Sequence, residues 1–441
     1  MYSLSKVFKR ASLIVLFLGC TPGANAAIQG VTGTPDGTGV TFNLTTSTSN
    51  IPTPDGNSVR MWGYGVAGSP MQYPGPTLII DQGTQVTVNL TNTNIPMKVS
   101  MLFPGQEGVS ATGGTAGQFT QESSSVLGDT VTYTFTAANP GTYTYYSGTQ
   151  PGLQIEMGLM GAIIVRSGTA DQAYNDPSTQ YDREYLFVLS EVDPKVHQDV
   201  EFGLLPMINN TVSHSTFWFM NGRLGPDTFF PDNSSFLPNQ PYGSLAQMHP
   251  GERVLIRVVG GGREGHPLHL HGNNINVFAR DGRLMSSNGV SADLAVSDYT
   301  IQALPGATYD GIWEWTGEQL GWDIYGTNAG GQTHDCNDVA PVDGFDDVTS
   351  EYCADHDVEI PVVLPEKQET AFGGFYSGSP FLGALSDLPP GEGGLNLNGG
   401  LFFMWHSHNE RELTNDDIYP GGMMTMMIIE PHSAVIDPGN P

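Results

Sequence analysis

Between residues 27 and 166, apolar and polar positions alternate in short runs at 40–44, 77–80, 85–90, 131–135, 141–145 and 161–165, separated by turn residues. Successive side chains on a β-strand point to opposite faces, so a period of two marks a strand with one face buried. Runs this short, rich in Val, Thr and Tyr and repeated at this spacing, predict a β-sandwich or barrel. After a polar stretch at 171–182 a second series follows, at 183–189, 217–220, 253–259, 275–278 and 423–429. We therefore expect a first domain over residues 27–170 and a second over 183–432, with 171–182 as the linker.

Composition agrees with that division. A chain of 441 residues is long enough for two or three domains with sizeable cores. Its 56 glycines and 31 prolines follow no collagen or low-complexity period, and 14% of its residues are charged. That balance suits a turn-rich, all-β protein.

The first residues place Lys6, Lys9 and Arg10 before an apolar run from Ala11 to Leu18, followed by Ala24, Asn25 and Ala26. This is the layout of a cleavable secretory signal over residues 1–26, which predicts an exported protein, periplasmic or extracellular. The rival reading is lipid attachment at Cys20, which would anchor the chain. No later segment is long and apolar enough to be a membrane span. Cleavage after Ala26 leaves 13 basic against 45 acidic residues. Such an excess of acid keeps a secreted protein soluble and excludes nucleic acid and anionic membranes as partners. Acidic residues crowd 323–359, which reads as a solvated insertion closed by a disulfide between Cys336 and Cys353 in an oxidising compartment. The spacing of its carboxylates matches no calcium loop.

Candidate chemistry lies in two histidine clusters, His266-Pro267-Leu268-His269-Leu270-His271-Gly272 and Met404-Trp405-His406-Ser407-His408. Each contains His-X-His, and on a strand positions i and i+2 share a face, so each pair presents two imidazoles in one direction. Two such pairs on adjacent strands make a four-nitrogen metal site. Imidazole-rich sites suit copper, zinc or nickel, and the affinity order favours copper. Imidazole ligates only when neutral, so metal retention is expected to fall below about pH 6. His197, His214, His249, His334, His356 and His432 stand alone and read as surface or satisfied core residues. Glu410 and Glu412 are within reach as ligands or hydrogen-bond partners, but read first as a solvated loop. Met423, Met424, Met426 and Met427 read as core at strand spacing rather than as a metal relay.

Several stretches resemble the multicopper oxidase family, built from cupredoxin domains. Tyr73-Pro74-Gly75-Pro76-Thr77-Leu78 and the run at 83–89 look like the opening of the family's first domain, and Gly141-Thr142-Tyr143 with residues 157–165 look like its end. Asn221-Gly222-Arg223, residues 251–257 and residues 266–272 look like the family's last catalytic domain, and Trp405-His406-Ser407-His408 looks like its final histidine motif. The resemblance implies tandem cupredoxin-like Greek-key β-sandwich domains, copper as cofactor and oxidoreductase activity. In the family, one copper centre takes electrons through a cysteine thiolate, and a three-copper cluster held by eight histidines reduces dioxygen to water. By resemblance His266 matches a ligand of the first centre, while His269, His271, His406 and His408 match cluster ligands.

The departures are as informative. Ser407 stands where the family has its cysteine, and a hydroxyl is too hard and too weakly acidic to replace a thiolate. The histidine expected shortly afterwards is missing, and Met423 is the candidate for the axial methionine. In the first domain, Ser100-Met101-Leu102-Phe103 and Tyr145-Tyr146-Ser147-Gly148 occupy the places of two further His-X-His motifs. The resemblance thus implies a first domain without copper ligands and a second with a histidine-only site. Three functions fit: an altered copper oxidoreductase using a small-molecule or metal-ion reductant, a copper-binding or sequestering protein without turnover, and a cupredoxin-fold interaction domain.

Overall fold

The computed structural model describes residues 28–124, 129–205, 208–209, 211–316, 398, 400–430 and 434–437. The signal segment at 1–26 with Cys20, the acidic insertion at 323–359 with Cys336 and Cys353, and His334, His356 and His432 lie outside the described residues.

The alternating runs form strands where the pattern places them. Gln85–Asn92 illustrates why: Val86, Val88 and Leu90 are buried in the core, while Gln85, Thr87 and Asn89 face outward. Gly39–Pro52 lies parallel to Gln85–Asn92, which pairs antiparallel with Val131–Thr136. Facing this sheet, Met160–Arg166 runs parallel to Gly75–Asp81 and antiparallel to Gly141–Tyr146. Val86, Val88, Leu90, Leu78, Ile163 and Tyr145 close the space between them. Neighbouring strands that are distant in the chain give the Greek-key connectivity of a cupredoxin-like sandwich.

The described residues between 183 and 429 build a second sandwich. One sheet runs in the order Phe217–Met220, Arg183–Val192, Arg253–Gly260, Thr308–Glu314 and Ile275–Arg280. The other runs Ala246–Met248, Met424–Ile429, Leu401–Ser407, His266–Leu270 and Thr300–Ala303. Trp218, Trp313, Trp405, Phe187, Ile256 and Leu268 fill the core between them. Met423 and Met427 enter this core, whereas Met424 and Met426 pack against Phe402, Met404 and Leu413 on the other side. Leu401–Ser407 is buried at every position, so it shows no apolar–polar alternation for sequence reading to detect.

The stretch at 171–182, expected as a polar linker, is packed instead. Tyr174 is buried edge-on to Phe278 and donates to Asp310 at 2.6 Å. Asp310 also pairs with the fully buried Arg257, so this stretch supplies a partner to a charge that burial would otherwise penalise. The two sandwiches are in contact: Met61, Tyr73 and Met160 share a core with Val188, Phe219 and Val259, and Tyr73 Oη lies 2.7 Å from Ser190 Oγ. Asn221 and Gly222, both at positive φ, turn the chain after Phe217–Met220 and set Gly222 against the Tyr73 backbone, where a Cβ would stand 2.1 Å from the carbonyl oxygen.

Candidate metal centre

His266–Leu270 lies between Leu401–Ser407 and Thr300–Ala303, with His269 opposite both His406 and Thr300. Leu268 and Leu270 point into the sandwich core, and the period of two sends His269 and His271 to the opposite face. On the neighbouring strand Trp405 faces the core, so His406 and His408 share the face of the first pair. The rings converge there. Centroids are 4.8 Å apart for His269 and His271, 5.1 Å for His271 and His406, and 4.8 Å for His269 and His408. Ligand nitrogens of His269, His271 and His406 all lie within 4.8 Å of one another. His271 and His406 are buried, His269 is part-exposed and His408 is exposed.

His271 Nε2 and His406 Nε2 are 3.2 Å apart. Two nitrogens each about 2.0 Å from one tetrahedral ion stand about 3.3 Å apart, so this pair is at ligand spacing. The other nitrogens anchor the rings: His406 Nδ1 donates to the Ser407 carbonyl at 2.7 Å, and His269 Nδ1 pairs with Thr300 Oγ1 at 2.9 Å. Such outer contacts fix the tautomer and aim of a ligating imidazole. Trp405 Nε1 donates to the His271 carbonyl at 3.1 Å. The chain then turns at Gly272, with φ +99°, where a Cβ would press on Phe403 and Trp313 at 2.9 Å.

Burial and then its three histidine neighbours hold the pKa of His271 down at about 3. Burial, joined by His269 and His408 and opposed by the bond to Ser407, holds His406 at about 4. Burial and His408 lower His269 as well. These imidazoles are therefore neutral at physiological pH and ready to ligate without shedding a proton. Protons compete for the site at a lower pH than an unperturbed imidazole would allow.

His266 stands apart. Three residues before His269, it falls on the opposite face, beside Trp218 at a ring separation of 6.2 Å. Its Nδ1 contacts Glu412 Oε2 and its Nε2 contacts Glu191 Oε2, each at 2.9 Å, and the ring is fully buried. Burial pulls its pKa down, but the two carboxylates outweigh that and hold it at about 9. As an imidazolium it donates from both nitrogens and keeps no lone pair for a metal. Ser407 Oγ faces the same way and donates to Glu412 Oε2 at 2.6 Å. Glu412 is thus a buried partner rather than part of a solvated loop. Sequence reading missed Glu191 entirely, since it lies near the end of the long strand Arg183–Val192, 75 residues from His266. His197, with both ring nitrogens hydrogen-bonded to backbone carbonyls, is a satisfied core residue, and His214 is exposed.

A family model described as multicopper oxidase matches residues 47–170. The iron transport multicopper oxidase FET3 of Gibberella zeae is 28% identical over 220 residues, covering 49% of this chain and 31% of that protein. The chain thus resembles the multicopper oxidase family as a divergent relative. An L-ascorbate oxidase of Cucurbita pepo var. melopepo is 31% identical over 160 residues, covering 36% of this chain and 28% of that protein. The chain therefore spans about a third or less of the length of those proteins. In fold it is similar to the blue copper oxidase from Nitrosomonas europaea, with a TM-score of 0.54 at 17% identity over 88% of this chain and 85% of that one.

The family implies copper as cofactor. Three neutral imidazoles, two of them at ligand spacing, are a donor set that fits it. The family model falls on the first sandwich, while the clustered histidines are in the second. Among the described residues, no helix is long and apolar enough to cross a membrane.

Proposed function

We propose that the chain is an exported copper oxidoreductase whose metal centre is made of histidine alone. His269, His271 and His406 hold the ion and His408 stands at its exposed edge. The observation that carries this reading is the convergence of the first three imidazoles, in the neutral form, on one face of one sheet. Bound copper supplies a one-electron acceptor. The chain's own residues do the rest: Thr300 and the Ser407 carbonyl aim the rings, and the exposed side at His408 admits a reductant. Two sandwich domains, 27–170 without ligands and 183–432 with them, complete the proposal. Export is supported by the layout of residues 1–26 and the acidic balance of the chain.

A second reading, copper binding without turnover, is favoured by one observation. The position of the family's thiolate holds Ser407, which is bonded to Glu412. Relatives named for iron transport and ascorbate oxidation make ferrous ion and ascorbate the reductants to try first. Metal content per chain and oxygen uptake with those reductants separate the readings. Bound copper with uptake supports the oxidoreductase, and bound copper without uptake supports the binding protein. No copper after loading would sink both.

A further inference from the structure

Glu412 arrives from the short turn Glu410–Glu412, just after the second histidine pair, and is 1% exposed. Its Oε2 accepts from Ser407 Oγ at 2.6 Å and from His266 Nδ1 at 2.9 Å, and its Oε1 accepts from Asn409 Nδ2 at 2.9 Å. These partners lie on or directly beside the two strands that carry the candidate ligands. His266 opens His266–Leu270, Ser407 sits between His406 and His408, and Asn409 follows His408. Asn409 N also donates to Ser407 Oγ at 3.1 Å. Behind His266, Glu191 accepts from its Nε2 and, through Oε1, from the backbone N–H groups of Arg263 and Glu264 at 2.6 and 3.1 Å.

One buried carboxylate thus ties both histidine strands together, from the face of the sheet opposite the histidines. A carboxylate at this depth is strongly disfavoured without its donors, so it holds them in place. Ser407 is flanked by His406 and His408, and any rotation of its backbone turns both rings. We propose that Glu412, with Ser407 and His266, is a positioning clamp that sets the spacing and aim of the imidazoles at the metal centre. It occupies the place where the resemblance sets a thiolate copper centre, and it supports the histidine site instead of feeding it electrons. The inference rests on the metal-site reading above.

The test uses the full-length chain loaded with Cu(II), reading affinity by competition with a chelator and ligand geometry by electron paramagnetic resonance. E412A is expected to weaken binding about 10–100-fold and to change the copper signal, with the β circular dichroism retained. S407A, which removes a single hydrogen bond, is expected to shift both in the same direction by about five-fold in affinity. E412A with wild-type affinity and signal overturns the clamp. Should E412A not fold, S407A decides, and wild-type behaviour there overturns it equally. H269A separates the two claims. Copper bound by the wild type, lost in H269A and unchanged in E412A refutes the clamp alone, whereas no copper in the wild type refutes the metal site and the clamp with it.

Discussion

In the first half of the molecule Gly39–Pro52 runs parallel to Gln85–Asn92, which pairs antiparallel with Val131–Thr136. In the second half Arg183–Val192, Arg253–Gly260 and Thr308–Glu314 repeat the same relations. The facing sheets correspond as well: Gly75–Asp81 is parallel to Met160–Arg166, and Ala246–Met248 is parallel to Met424–Ile429. Where the second half sets His266–Leu270 against Leu401–Ser407, the first sets Leu102 against Tyr146 by a single antiparallel bridge. There the side chains hydrogen-bond to one another and to the backbone. Ser100 Oγ lies 2.9 Å from Thr149 Oγ1, Ser147 Oγ donates to Gln154 Oε1 at 2.6 Å, and Tyr145 Oη donates to the Pro76 carbonyl at 2.7 Å. One strand plan therefore carries a histidine cluster in one half and a self-satisfied hydroxyl network in the other. Fold and site are separable, because the sandwich needs only that buried polar groups find partners, whether protein or metal.

The largest effect should come from the paired substitution H271A/H406A, which removes the two imidazoles at ligand spacing. Copper uptake, measured as metal per chain, is expected to fall to background, while S100A/S147A at the corresponding place in the first half leaves it unchanged. Copper lost from the second pair would break the comparison. Next, S407C restores a thiol but not its partners, because both nitrogens of His266 are held by Glu191 and Glu412. We expect no intense blue absorption when copper is added to S407C, and such a band would show that the clamp yields readily.

The pH dependence of the apoprotein sharpens the contrast within the second half. His266 is raised from 6.5 to about 9, so its contribution is fully present below about pH 6.5 and is lost as pH rises through 9. The shift corresponds to roughly 3 kcal/mol, and H266N should flatten the fall in Tm over that window. His271 and His406 are lowered to about 3 and about 4, so the unfolded chain binds more protons at these positions and stability declines as pH falls below about 6.5. For the same reason copper should be retained below pH 6 and released as the pH approaches 4, which equilibrium dialysis would show. The smallest effect expected is that of Y145F, which removes one buried hydrogen bond of the first half. It should cost about 1 kcal/mol in denaturant unfolding and leave copper binding untouched.

Much of this was legible along the chain. The period of two located the half-buried strands, and the two His-X-His pairs announced imidazoles sharing a face. Ser407 announced the missing thiolate. The same parity separates His266 from His269, since residues three apart on a strand face opposite ways. Leu401–Ser407 was legible only at His406, because a strand buried on both faces carries no alternation.

The residues alone set local features: which stretches extend, which side chains share a face, and which donor atoms are on hand. Tertiary structure decided the pairings. It brought His269 opposite His406, supplied Glu191 and Glu412 to His266 from 75 and 146 residues away, and packed Tyr174 of the supposed linker onto Phe278. These contacts depend on how two sandwiches close, and closure is driven by non-directional burial of apolar surface that leaves no local mark of which polar groups will meet.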